Sequence, residues 1–299
     1  MQGQQHHGKS NLGIELAKSL NGEIISADSM QIYKDMNIGT AKVMPEEMQG
    51  IEHYMLDFVS PDERYNVSEF KNKAEEAIKR VLSKGKVPII VGGTGLYIDS
   101  LIYGIEFQQE EFDEDYRNSL NEIADKGGLD ELYNEAKKID PKAMEKISPN
   151  DKKRIIRVLE IYHKTGKTKT EQEIESRKNE PQYDYYVFAI NMDRQMLYDR
   201  INKRVDKMIE AGLIDEVKSI LEKYKKLPTA MQGLGYKEVV EYLEGQASKE
   251  EMIEKIKQET RHYAKRQLTW FRKNKETIWL NGEEEVTKNI EIIKKIAEL

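Results

Sequence analysis

Val87-Pro88-Ile89-Ile90-Val91 is an apolar run without period-two alternation, and it opens directly into Gly92-Gly93-Thr94-Gly95. A strand that is apolar at every position has no wet face, so it belongs in a sheet covered on both sides. Two other short apolar runs read as strands, and the second of them likewise lacks period-two alternation. Glu23-Ile24-Ile25-Ser26 ends in Ala27-Asp28-Ser29, and Tyr185-Tyr186-Val187-Phe188-Ala189-Ile190 lies far downstream. Between the first two, Phe70, Ala74, Ala77, Ile78, Val81 and Leu82 make a helical stripe that Gly85 stops. Strands separated by helices predict a parallel α/β sheet.

Residues 107–183 read differently, as helix dense in Asp, Glu and Lys, with Ile155, Leu159 and Tyr162 on one face of a helix ending near Gly166. The organisation expected is therefore a core in two pieces, 1–106 and 184–299, with a helical insertion domain at 107–183. After the third strand, Leu197, Ile201, Val205 and Met208 mark one helix and residues 249–274 a longer one. Thr277-Ile278-Trp279-Leu280 reads as a last strand, and Val286, Ile290, Ile293 and Ala297 as a closing helix. A length of 299 residues suits about two domains.

With 34% charged residues and no long uncharged apolar stretch, the chain is not expected to enter a membrane. Its first residues have neither a basic start nor an apolar run, so no secretory signal is expected. Cysteine is absent, which excludes disulfides, thiolate zinc sites and thiol nucleophiles and fits a cytoplasmic protein. The net charge of −6 means that any surface for a polyanion must be local.

Gly3-Gln4-Gln5-His6-His7-Gly8-Lys9-Ser10 has the spacing G-x-x-x-x-G-K-[ST], followed by helix-forming Leu12, Leu16, Ala17 and Leu20. Loop amides and a helix N-terminus bind phosphate, Lys9 adds a point charge, and the Ser10 hydroxyl can hold Mg²⁺. Asp28 follows a strand end, where it serves either as a proton acceptor or as the cap of a turn. Thr94 stands in the corresponding place after the second strand, as a ligand-facing hydroxyl or as the cap of a tight turn. Arg200 and Arg204, four apart on one helix, either clamp a phosphate or face solvent. Lys153, Arg154 and Arg157 form a basic patch with the same two readings. The C-terminal helix gathers Lys257, Arg261, Lys265, Arg266, Arg272, Lys273 and Lys275 around Tyr263, Trp270 and Phe271, with Glu259 as the only acid between 256 and 275. In an acidic protein this pattern suits a polyanion. The histidines have no metal spacing, and His53, His163 and His262 receive no catalytic role.

Several stretches together resemble the tRNA dimethylallyltransferase (tRNA isopentenyltransferase) family. They are Asn21-Gly22-Glu23-Ile24-Ile25-Ser26-Ala27-Asp28-Ser29-Met30-Gln31-Ile32-Tyr33, Met36-Asn37-Ile38-Gly39-Thr40-Ala41-Lys42, Val91-Gly92-Gly93-Thr94-Gly95-Leu96-Tyr97, Gly233-Leu234-Gly235-Tyr236, and Ala264-Lys265-Arg266-Gln267-Leu268-Thr269-Trp270. The resemblance runs from about Gly8 to the C-terminus. It implies a phosphate-loop NTPase-like core, a helical insertion gripping the tRNA anticodon stem-loop, and transfer of a dimethylallyl group from dimethylallyl diphosphate to the N6 amine of the adenosine 3′ to the anticodon. It implies Asp28 as general base and Thr94 at the reacting centre. Gly3, Gly8, Lys9, Ser10 and Arg204 would hold the diphosphate, with Mg²⁺ on Ser10. Contacts to tRNA would come from Asp28, Ser29, Met30, Gln31, Thr94, Arg117, Lys153, Arg154, Arg157, Gln232, Gly233, Gly235, Tyr236, Lys237, Arg261, Lys265, Arg266 and Gln267. A monomer is expected.

The chain departs from the family at its start, where an apolar strand and small loop residues are replaced by Gln4-Gln5-His6-His7. Weaker diphosphate binding and lower stability are expected in consequence. The alternatives are a phosphate-loop kinase of a small molecule or nucleotide and a non-catalytic RNA-binding relative. A kinase needs a carboxylate at the end of the second strand to organise Mg²⁺, and here that strand ends in Gly92-Gly93-Thr94.

Overall fold

A computed structural model describes residues 8–107 and 113–298. The chain divides into two compact units, one formed by Met1–Leu101 with Asp184–Leu299 and the other by Ile102–Tyr183. The first part of the larger unit runs α1 (Lys9–Ser19), β1 (Gly22–Ala27), β2 (His53–Tyr54), α2 (Val67–Ser83), β3 (Val87–Gly92) and α3 (Gly95–Ile102). The smaller unit is helical: α4 (Glu114–Ile123), α5 (Leu129–Ile139), α6 (Pro141–Met144), α7 (Lys152–Thr165) and α8 (Lys169–Glu175). The chain then returns through β4 (Phe188–Asn191), α9 (Arg194–Glu210), α10 (Leu213–Lys223), α11 (Tyr236–Leu243), α12 (Lys249–Phe271), β5 (Ile278–Asn281) and α13 (Val286–Ala297).

β1 is buried along its whole length because β2 and β3 flank it, both parallel to it. Its register with β3 pairs Ala27 with Gly92, so both strands end at the same level. One sheet was expected, whereas the described residues form two, β2-β1-β3 and β4-β5. β3 is bonded to β1 and β4 to β5, which leaves each of the two with one unpaired edge among the described residues. The sheets share a cover. Leu12 and Leu16 of α1 pack in one apolar cluster with Ile89 of β3, Phe188 and Ile190 of β4, and Leu280 of β5. The third strand is also shorter than its apolar run and half-buried, with β5 as its one ladder partner among the described residues.

Two side chains depart from the expected faces. Leu82 is 44% exposed, about 120° round the helix from Phe70 and past the buried stripe. Tyr162 is 43% exposed, while Ile155, Val158, Leu159 and Ile161 fill the core of the smaller unit's α7. That helix stops where Gly166 takes a left-handed conformation with φ 67° and returns its N–H to Tyr162 O, a turn only glycine adopts cheaply. Asn66 starts α2 with a capping box, its carboxamide accepting from Ser68 N and Glu69 N.

Candidate active site

The equal ends of β1 and β3 set two turns side by side. After β1, Asp28 Oδ1 accepts Met30 N at 2.9 Å and Gln31 N at 3.3 Å. Both turn bonds use Oδ1, so the second carboxylate oxygen can take a proton without breaking the turn. The capping reading and the proton-acceptor reading of Asp28 are thus compatible. After β3, Thr94 Oγ1 accepts Ser29 N at 3.0 Å and donates to Ser29 Oγ at 3.2 Å, which locks the second turn to the first. The Thr94 carbonyl accepts the Tyr97 and Ile98 amides and so begins α3.

The glycines between are there for closeness. A methyl on Gly92 would collide with the Ala27 carbonyl, and one on Gly95 with the Trp270 ring. A methyl on Gly93 would meet Gln267 Nε2 and lie 2.9 Å from Lys9 Nζ. The lysine head therefore sits against the glycine turn. Lys9 opens α1, whose first turn carries no acid and whose cap, Gly8, leaves the leading amides free of a side-chain bond. An N-terminus of this kind favours an anion. Gly3 lies outside the described residues.

Lys9 and Arg204 are both exposed at the surface and lie within electrostatic reach of Asp28. Burial draws the Lys9 pKa below the usual lysine value; the Asp28 charge opposes this and the Arg204 charge adds to it. Burial likewise lowers Arg204, against Asp28. One carboxylate and two cations thus share one electrostatic neighbourhood, with a net positive charge that an anion would offset.

α12 closes this site from the side. Gln267 Nε2 donates to the Gly93 carbonyl at 2.8 Å, and Trp270 Nε1 donates to Asp99 Oδ2 at 3.1 Å. Burial and then the Asp28 charge push the Tyr263 hydroxyl up, while its hydrogen bonds with Gln267 and Thr94 act the other way. Sequence patterning gave Tyr263 no particular role, since an aromatic among cations reads equally as stacking surface.

The remaining expected residues separate into exposed and engaged. Lys265 and Arg266 are exposed, Arg266 lying over the Tyr263 ring. Arg261 donates to Asn202 Oδ1 at 2.7 Å, and Lys257 pairs with Asp206 at 2.8 Å, so these two cations bind α12 to α9. Gln31 Nε2 is held by the carbonyls of Thr40 and Ala41. Met30 packs beside Gly233. Gly235 has φ 88° and gives its N–H to Glu238, while Gln232 and Lys237 are exposed. Tyr236 corrects an expectation: its ring is buried to 1% exposure in the apolar core, so it supports the site and does not reach a macromolecule. In the smaller unit, Lys153, Arg154 and Arg157 are exposed at the start of α7, and Arg117 forms a two-pronged pair with Glu160.

Among the described residues no group of three His, Cys, Asp or Glu side chains could hold a metal, and no helix is long and apolar enough to cross a membrane.

A family model described as IPP transferase matches residues 31–274. The tRNA dimethylallyltransferase of Acetivibrio thermocellus is 52% identical over 289 residues, covering 95% of this chain and 92% of that protein. The Lachnoclostridium phytofermentans tRNA dimethylallyltransferase is 51% identical over 275 residues, covering 92% and 88%. The crystal structure of the Bacillus halodurans tRNA isopentenylpyrophosphate transferase superposes with a TM-score of 0.72 at 39% identity, covering 98% of this chain and 93% of that one. A eukaryotic dimethylallyltransferase solved acting on tRNA gives 0.81 at 31% identity, covering 99% and 78%. These likenesses extend beyond the segment that the family model matches, and on them the chain belongs to the IPP transferase family.

Proposed function

We propose that this protein transfers the dimethylallyl group of dimethylallyl diphosphate to the N6 amine of the adenosine 3′ to the anticodon of tRNA, releasing diphosphate. The observation that carries the reading is the pairing of two chemistries at one strand-end level. A carboxylate turn is locked to a glycine turn, and a lysine and an arginine share the carboxylate's field. The amine nitrogen attacks the allylic carbon, and the bond from that carbon to the bridging oxygen breaks. The electron pair leaves with the diphosphate, where Lys9 and Arg204 stabilise the growing charge. Asp28 takes the amine proton through its second oxygen. Thr94, held by Ser29, stands where the bridging oxygen departs.

The donor set fits Mg²⁺ brought in with the substrate: a single hydroxyl, Ser10, with no carboxylate cluster among the described residues. Such an ion would neutralise diphosphate oxygens. On the polyanion side, exposed Lys265 and Arg266 in one unit and Lys153, Arg154 and Arg157 in the other supply phosphate contacts. A base buried in a stacked anticodon loop must swing out to reach Asp28.

Incubating the protein with tRNA and labelled dimethylallyl diphosphate tests the reading. Label transferred to tRNA supports it. ATP turnover without transfer would point to a kinase, and tRNA binding without either reaction to a non-catalytic relative.

A further inference from the structure

Glu216, in the first turn of α10, accepts three consecutive backbone amides. Its Oε2 takes Asn37 N at 2.8 Å and Ile38 N at 2.7 Å, and its Oε1 takes Gly39 N at 3.1 Å. Tyr236 donates its buried hydroxyl to Oε1 at 2.6 Å. Successive amides converging on an anion form a nest, and here the anion is supplied by the chain itself. Gly39 lies against the Tyr236 ring, where a methyl would collide with it.

The clamped segment is strained. Asp35 and Ala41 have φ of 63° and 46°, left-handed values that persist in non-glycine residues only where surrounding contacts over-determine them. Those contacts are present: Ile32, Tyr33 and Met36 are buried in one cluster with Leu213, Val217 and Tyr236. Lys42 Nζ donates to the Tyr33 carbonyl at 2.7 Å and to Asp57 at 2.6 Å.

The clamp leads to the site through hydrogen bonds. The carbonyls of Thr40 and Ala41 accept Gln31 Nε2 at 3.1 and 3.2 Å, and Gln31 N donates to Asp28 Oδ1 at 3.3 Å. We infer that Glu216 is a positioning residue for the proposed transfer, fixing residues 37–41 so that they hold Gln31 and, through it, the Asp28 carboxylate. The inference rests on the transferase reading for its kinetic half alone. Among the described residues Glu216 is hydrogen-bonded to 37–39 and Tyr236 and not to α1 or the glycine turn, so its effect falls on the amine side of the reaction.

In Glu216→Gln the uncharged amide holds the nest poorly, and single-turnover transfer to tRNA is expected to fall about 10–100-fold. KM for dimethylallyl diphosphate should stay within about twofold, because the diphosphate cations are undisturbed. The decisive comparison is the double variant with Asp28→Asn. If Glu216 acts through Asp28, the double variant is no slower than Asp28→Asn alone, within about twofold. Multiplying losses would mark a general loss of structure and overturn the inference. Tyr236→Phe removes one hydrogen bond from the clamp and should show the same pattern at about threefold, which keeps the test open if Glu216→Gln does not fold. Hydrogen exchange separates this inference from the transferase reading. Faster exchange in Glu216→Gln at both 28–31 and 37–39 supports the relay even if the wild type transfers nothing, and faster exchange confined to 37–39 refutes it.

Discussion

Gln267 Nε2 donates to the Gly93 carbonyl at 2.8 Å, which ties the last third of α12 to the turn at the end of β3. The helix that carries the exposed cations is thereby bonded to the loop against which the Lys9 head sits. The contact is possible only because Gly93 has no side chain: a methyl there would meet the Gln267 amide and lie 2.9 Å from Lys9 Nζ.

Gly93→Ala is therefore expected to fold, since both obstructed atoms are ends of flexible side chains, but to misplace them. Diphosphate affinity should drop about 10-fold, or about 1.4 kcal/mol, with little change in melting temperature. Titration calorimetry and a thermal melt check this; unchanged affinity would mean that Lys9 works from elsewhere.

The cations of α12 should divide by what they touch. Lys265→Ala and Arg266→Ala are each expected to lower the salt slope of tRNA binding by about one unit with no loss of stability. Arg261→Ala should instead destabilise by about 1–2 kcal/mol, because it leaves Asn202 unpaired between α12 and α9. Salt titrations and denaturant melts distinguish the groups, and a full slope change from Arg261 with no stability cost would reverse the assignment.

At the opposite end of β1, burial pushes the Glu23 carboxyl up, but hydrogen bonds from Lys86, Lys84 and Tyr54 outweigh it and hold it at about 2. The folded value lies below the ordinary 4.5, so this contribution is full above that pH and disappears as pH falls from 4.5 towards 2. With the lysine heads partly in solvent, about 1–3 kcal/mol is at stake. Melting temperature followed against pH should show an acid limb in that window, and Glu23→Gln should flatten it. A limb of the same size in the variant would exclude Glu23 as its source.

Much of this was legible in the sequence. The apolar runs 23–26 and 87–91 are β1 and β3, and the residues just after them form the site, because a parallel strand pair delivers its C-terminal turns to one place. Gly166 as a helix stop follows from backbone sterics alone. Other features depend on partners far away in the chain. Tyr236 reads as a polar-tipped aromatic beside glycines, and its burial depends on distant partners: Glu216, Gly39 and the apolar cluster of Ile32, Met36, Leu213 and Val217. Arg261 and Lys257 share their helical spacing with Lys265, and their engagement depends on Asn202 and Asp206 of α9. Periodicity has no term for either.

The central claim is that Asp28 takes the amine proton in a prenyl transfer to tRNA, and single-turnover transfer with Asp28→Asn tests it most directly. Asparagine keeps the Oδ1 acceptor for Met30 N and Gln31 N, so the turn and tRNA affinity should survive. With no second carboxylate oxygen to receive the proton, the chemical step is expected to slow by about 10²–10⁴. Transfer at the wild-type rate by a folded, tRNA-binding Asp28→Asn protein would contradict the account and leave Asp28 as the cap of a turn.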